Sequence, residues 1–237
     1  TSKGIYYLEK TGNTKELLEP EFKRIGKIDS YAFEFYTFGK KLFATTKQGI
    51  FSLSGGQAQL FYNKFCNQYS AVLQYRKDPG FILIGMDDGI SVVRYVNGFF
   101  IHQGKVNGIH SHVTDLAKDK EGYIWVATAY NGLYRIHPFE TYTTWLTFEH
   151  FSKSEISKKD IQWIKPYSTS RGMLFSSSQG LYKFDAETSQ FFQDTSLSTG
   201  IQNHMIYPIA EDHHKNLWMN AISKNEIREQ TLITAFN

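Results

Sequence analysis

A short pattern that returns along the whole chain limits what it can fold into. An apolar triplet is followed by small or polar residues, a glycine, then an aliphatic residue and an aromatic or apolar one. It reads Leu42-Phe43-Ala44 to Gly49-Ile50-Phe51 and Ile82-Leu83-Ile84 to Gly89-Ile90-Ser91. It continues as Trp125-Val126-Ala127 to Gly132-Leu133-Tyr134 and Met173-Leu174-Phe175 to Gly180-Leu181-Tyr182. A weaker copy joins Trp218-Met219-Asn220 to Asn225-Glu226-Ile227, and a bare second half stands at Gly4-Ile5-Tyr6-Tyr7. The glycine falls at 4, 49, 89, 132 and 180, with Asn at 225, so the intervals are 45, 40, 43, 48 and 45. Glycine with asparagine as its stand-in points to a turn residue held at positive φ between two strands.

Each unit reads as four short strands. In the third full copy these are Val113 to Ala117, Tyr123 to Thr128, Gly132 to Ile136 and Thr141 to Phe148, with a turn at Asp119-Lys120-Glu121-Gly122. That turn returns as Asp78-Pro79-Gly80, Ser170-Arg171-Gly172 and Asp212-His213-His214-Lys215-Asn216. Helical periodicity is confined to single turns at Thr14 to Leu18 and Lys153 to Lys159. The 19 Phe and 15 Tyr favour strands. Four strands per period of about 44 residues predict an all-β fold, a β-propeller of four-stranded blades.

The blades fall at about 28–65, 69–103, 112–150, 160–195 and 205–237, after a partial blade at 1–25 that supplies only two strands. Dividing 237 residues by the period gives about 5.4 units, hence about five to six blades. One way to close such a count is a blade shared between the two chain ends. Because 225–236 carries strands of its own, the preferred expectation is an incomplete ring, a piece of something longer.

Composition excludes several classes. The net charge of +3, from 26 basic and 23 acidic residues, is scattered and too weak for nucleic acid. No apolar run approaches the roughly 18 residues of a membrane helix, so contact with a membrane is expected only through segments outside this chain. No signal peptide opens the chain, which reads as a mature segment, so compartment is not fixed by it. One cysteine, Cys66, excludes an intrachain disulfide and reads as a buried inert thiol.

Two stretches resemble the two-component regulator propeller repeat. Val113-Thr114-Asp115-Leu116-Ala117 leads through Asp119 and Gly122 to Tyr123-Ile124-Trp125-Val126-Ala127-Thr128 and Gly132-Leu133-Tyr134-Arg135. Thr199 to Trp218, ending in Asp212-His213-His214-Lys215-Asn216-Leu217-Trp218, is similar. The family pattern is a valine or isoleucine strand, an Asp, a Gly turn, a Trp-anchored strand ending in small-Thr, then Gly-Leu-Tyr/Asn-Arg. The small-Thr end is kept at Ala127-Thr128 and Thr45-Thr46 but reads Gly85-Met86, Ser176-Ser177 and Ala221-Ile222 elsewhere. Trp125 and Trp218 hold the large-apolar position that packs blade on blade, with Leu42, Ile82 and Met173 corresponding to them.

The resemblance implies the periplasmic sensor region of bacterial hybrid two-component histidine kinases, responding to glycan breakdown products. Partners implied are an oligosaccharide or other small-molecule ligand, other domains of the same receptor and a second copy in a homodimer. A propeller polysaccharide lyase or glycosidase, and a protein-binding scaffold, stand as alternatives.

The chain holds no Gly-x-Ser-x-Gly elbow, His-Glu-x-x-His, P-loop or dinucleotide fingerprint, so this segment reads as non-catalytic. Asp87-Asp88 and Glu211-Asp212 are adjacent pairs; on a strand, neighbours face opposite ways and make no paired acid and base. His110-Ser111-His112 would share one face if extended, with His102 nearby, but no third ligand is fixed by spacing. No metal or cofactor is therefore expected, and a polar loop is the plainer reading. The ligand-binding candidates are Tyr130, Trp163, Asp87, Asp88, Gln179, His110 and His112, with Ser177 and Ser178 beside them. Trp163 is expected on an innermost strand at Ile161 to Ile164, and Tyr130 on a loop. Aromatic faces beside amides and carboxylates suit sugars, whose C–H surfaces stack while hydroxyls hydrogen-bond.

Overall fold

A computed structural model describes residues 4–8, 21–26, 28–38, 40–63, 69–74, 80–97, 99–137, 148–197, 203–222 and 231–235. The chain divides into two compact units, Thr1–Lys105 and Val106–Asn237. Cys66, the helical turn expected at Thr14 to Leu18, Asp78-Pro79 and Asn225 lie outside the described residues.

In the first unit, β1 (Tyr6–Leu8) pairs with β2 (Phe22–Arg24) in a two-stranded antiparallel sheet. Two four-stranded antiparallel meanders follow. One is β3 (Ala32–Phe38), β4 (Lys41–Thr46), β5 (Gly49–Ser54) and β6 (Gln57–Tyr62). The other is β7 (Tyr69–Gln74), β8 (Phe81–Met86), β9 (Gly89–Val96) and β10 (Phe99–Lys105). Core packing runs between successive sheets: Phe43 and Ile50 of the first meander bury against Ile82, Ile84 and Met86 of the second.

The second unit repeats the plan. β11 (Val113–Lys118), β12 (Ile124–Thr128), β13 (Leu133–Ile136) and β14 (Phe148–Phe151) form one sheet. After helix α1 (Lys153–Ile156) come β15 (Ile164–Thr169), β16 (Gly172–Ser177), β17 (Gly180–Asp185) and β18 (Gln190–Gln193). The last sheet holds β19 (Met205–Glu211), β20 (Leu217–Ile222) and β21 (Thr231–Ala235). The fourth strand expected at Thr141 to Phe148 is instead Phe148–Phe151, and 138–147 lie outside the described residues. α1 is one turn held by a capping box, Ser152 with Glu155.

The repeated glycines have positive φ at 4, 49, 89, 132 and 180. Gly132 shows why the position admits nothing else. Its φ is +79°, and a Cβ there would sit 2.2 Å from the Phe151 carbonyl oxygen on β14. The residue closing the second strand has its own task. Thr128 Oγ1 donates to Gly132 O at 3.0 Å and accepts from Asn131 N at 3.0 Å. Thr46 with Gly49 and Gln48, and Ser177 with Gly180 and Gln179, repeat both bonds. Ser177 thus keeps the chemistry of the Thr it replaces, whereas Met86 trades it for complete burial.

The Asp of the first turn is a second local device. Asp119 accepts from Tyr123 N at 2.7 Å and from Trp125 Nε1 at 3.0 Å. Asp212 accepts from Asn216 N at 2.9 Å and Trp218 Nε1 at 2.9 Å, so turn and tryptophan are tied alike in both copies. These bonds hold the Asp212 carboxyl well below the usual carboxylate range, the Trp218 indole contributing most.

One alignment is corrected. Leu42, Ile82 and Met173 are not the counterparts of Trp125. The turn from Thr128 to Gly132 is one residue longer than the turn from Thr46 to Gly49, so counting back from glycine slips the register by one. A one-residue slip exchanges the faces of a strand. The true counterparts are Phe43, Leu83 and Leu174, each 1% exposed or less. Leu42 is 39% exposed.

Candidate functional site

The second unit gathers the greater part of the candidates. Tyr130, 77% exposed, stands on the turn between β12 and β13. Lys153 Nζ donates to Ala129 O at 3.2 Å and also to Gln162 O, tying that turn to the segment before β15. Gln162 N donates to Ser178 Oγ at 2.9 Å, and Gln179 Nε2 donates to Asp160 O at 2.9 Å. Tyr130, Gln162, Ser178 and Gln179 therefore belong to one continuous rim. Gln179 helps to hold it with side chain and backbone alike, since its backbone carbonyl also accepts from Gln193 Nε2 at 3.3 Å.

His110 and His112 do not share a strand face. They precede β11 on irregular backbone, His110 exposed and His112 half-buried. The His112 carbonyl accepts from Ala129 N at 2.9 Å, which places its backbone beside the Tyr130 turn. Asp87 and Asp88 lie in the first unit and form the two-residue turn between β8 and β9, not a strand as the face argument assumed. Asp88 is ion-paired with Lys105.

Trp163 immediately precedes β15, whose strand begins at Ile164, three residues later than the expected start at Ile161. β11 and β15, first strands of successive sheets, lie side by side, as inner strands of adjacent blades do. Here the structure assembles a cluster that sequence reasoning missed. Lys165 on β15 meets Asp115 Oδ1 on β11 at 2.8 Å and lies 4.8 Å from the Tyr207 ring centroid on β19. The Tyr207 ring meets the Trp163 ring nearly edge-on at 5.9 Å. One lysine thus touches three successive sheets. Tyr207 is 43% exposed and Trp163 half-buried, so the aromatic pair is open to a ligand.

Electrostatics set this cluster apart. Asp115 Oδ2 is buried without a hydrogen-bond partner. Burial pushes the Asp115 carboxyl up to about 6, against the opposing pull of Lys165. For Lys165 burial pulls downward, but the charge and hydrogen bond of Asp115 outweigh it and hold the ammonium above its ordinary value. Burial also pushes Tyr167 up to about 12. Lys165 is the single charged residue of β15 and Asp115 the single acid of β11, a signal that could have found them. Chemically, an ammonium, a carboxylate and two aromatic faces offer donors, an acceptor and stacking surface to a hydroxylated ring.

Residues 107–130, spanning β11, the Asp119 turn, β12 and the start of the Tyr130 turn, match the family model described as two component regulator propeller. That stretch is similar to the two component regulator propeller repeat. Solved structures place this repeat in its fold. The extracellular domain assigned to the hybrid two component system BT4673 of B. thetaiotaomicron is 16% identical over 80% of this chain and 25% of that one, TM-score 0.59. The WD40 β-propeller domain of Doa1 is 9% identical over 93% of this chain and 68% of that one, TM-score 0.58. A Bacteroides uniformis chain assigned as a 6-phosphogluconolactonase is 11% identical over 99% and 80%, TM-score 0.56. At these identities the likeness establishes the fold, a β-propeller. This chain spans about a quarter of the length of the BT4673 domain. No protein of curated function matches it. Among the described residues no helix is long and apolar enough to cross a membrane.

Proposed function

We propose that this propeller is a ligand-sensing, non-catalytic piece of an extracytoplasmic receptor of a two-component system, and that its ligand is an oligosaccharide released by glycan breakdown. The observation that carries the reading is the convergence of Tyr207, Lys165 and Asp115 on adjoining first strands, with Trp163 just before one of them. The repeat at 107–130 supports the signalling context, and so does the likeness to an extracellular domain assigned to a hybrid two component system. Because Lys165 touches three sheets, a ligand seated there would shift how neighbouring blades pack, and a bistable packing of that kind is how binding reaches a kinase elsewhere in the protein.

Calorimetry of the full chain against a panel of glycan fragments tests this reading. Saturable binding of at least one class, lost about tenfold or more in Trp163→Ala, is the expected result. No binding to any fragment overturns it. Turnover of a fragment would instead support the lyase or glycosidase reading.

A further inference from the structure

We propose that Lys165 reads an anionic group, so that the oligosaccharide taken by this site is an acidic one carrying a uronic-acid carboxylate. This deepens the glycan reading above and rests on it.

Three features of the geometry lead there. An ammonium has three N–H donors. Lys165 gives one to Asp115 Oδ1, presents charge to the face of Tyr207, and keeps a side chain 25% exposed, so the head is not sealed from a ligand. The ring pair of Trp163 and Tyr207 then places a stacked sugar beside that head. Finally, the partner that holds Lys165 now is a poor home for charge. Asp115 is 20% exposed at its side chain and buries Oδ2 without a donor.

A ligand carboxylate with one oxygen on Nζ and the other in water is better solvated than Asp115 in that role. Asp115 can give up the lysine by taking a proton from solvent. The groups facing Lys165 are Asp115 from β11, Tyr167 from its own strand and Tyr207 from β19. Asp115 is the one carboxylic acid among them, and the pH dependence is set by it.

The sign follows from linkage. Asp115 sits at about 6, so near pH 7.5 it is ionised and an anionic ligand must draw in a proton to displace it. Near pH 5.5 it is largely protonated and the lysine is open. Affinity for an acidic ligand therefore rises as pH falls, by about tenfold between 7.5 and 5.5, because binding takes the lysine from Asp115 and favours its protonated form. A neutral ligand lacks this dependence.

The test is calorimetry of the full chain with uronic-acid disaccharides and matched neutral disaccharides at both pH values. Expected is tighter binding of the acidic set, with the tenfold gain at the lower pH and proton uptake at the higher. Asp115→Asn should flatten that gain and tighten acidic binding at pH 7.5. Lys165→Met should lose acidic binding by more than about tenfold, and Lys165→Arg should retain it, which separates charge recognition from misfolding. Neutral disaccharides binding as tightly as acidic ones, or Lys165→Met leaving acidic binding unchanged in a folded variant, overturns the proposal while leaving the glycan reading standing. Absence of binding to both sets removes both.

Discussion

Trp125→Ala should unfold this protein at a temperature lower by about 10 °C or more, the mark of a loss of about 3–5 kcal/mol. Trp125 is 1% exposed and meets Phe175 at 4.7 Å, Phe184 at 5.0 Å, Phe151 at 6.0 Å and Phe191 at 6.0 Å. Deleting the indole leaves a cavity walled by rings from two sheets, which cannot all collapse into it. It also leaves Asp119 without the N–H that it accepts at 3.0 Å. Trp218 supplies the comparison. It holds the same bond to Asp212 but is 40% exposed, so the shared position does not cost the same in both copies. Trp218→Ala should cost about 1 kcal/mol. Thermal unfolding of the two variants side by side checks the account; equal losses would show that burial of Trp125 is not what stabilises its blade.

Gly132→Ala is the second large effect. Two penalties add there: the φ of +79°, disfavoured for any residue with a Cβ, and the approach of that Cβ to 2.2 Å from Phe151 O. The carbonyl belongs to a paired strand and cannot move aside without breaking the sheet, as Leu133 pairs with Phe151. A loss of about 3 kcal/mol or more is expected. Gly172→Ala isolates the first penalty, because φ is +104° but no atom lies within 4 Å of the added Cβ. That variant should lose only about 1 kcal/mol. Denaturant midpoints at unchanged slope would measure both.

These two positions also show what was legible from the residues alone. The glycine period could be read because backbone geometry and crowding act at one point and leave no other choice. The four-strand units followed from it, and the structure has four complete four-stranded sheets among the described residues. The large-apolar position was harder. Trp125 and Trp218 were found because a tryptophan is conspicuous, but the counterparts elsewhere were misplaced by one residue. A turn lengthened by one residue between β12 and β13 leaves no mark in a pattern counted from its glycine.

The candidate site was legible in part. Trp163 and Tyr130 were singled out, and Trp163 does join a polar cluster. Asp115 and Lys165 were passed over because their pairing joins two blades, and the contact partner of a strand residue is set by how sheets stack, not by local sequence. His110 and His112 were raised by a spacing rule that holds only on extended backbone, which they lack.

Hydrogen exchange of the full chain with and without a bound oligosaccharide tests the central claim most directly, that ligand is taken on the inner strands of the second unit. Slowed exchange at β11, at 163–169 and at β19, with outer strands β14 and β18 unchanged, is the result this account predicts. Protection confined to the outer strands, or no change at saturating ligand, would contradict it.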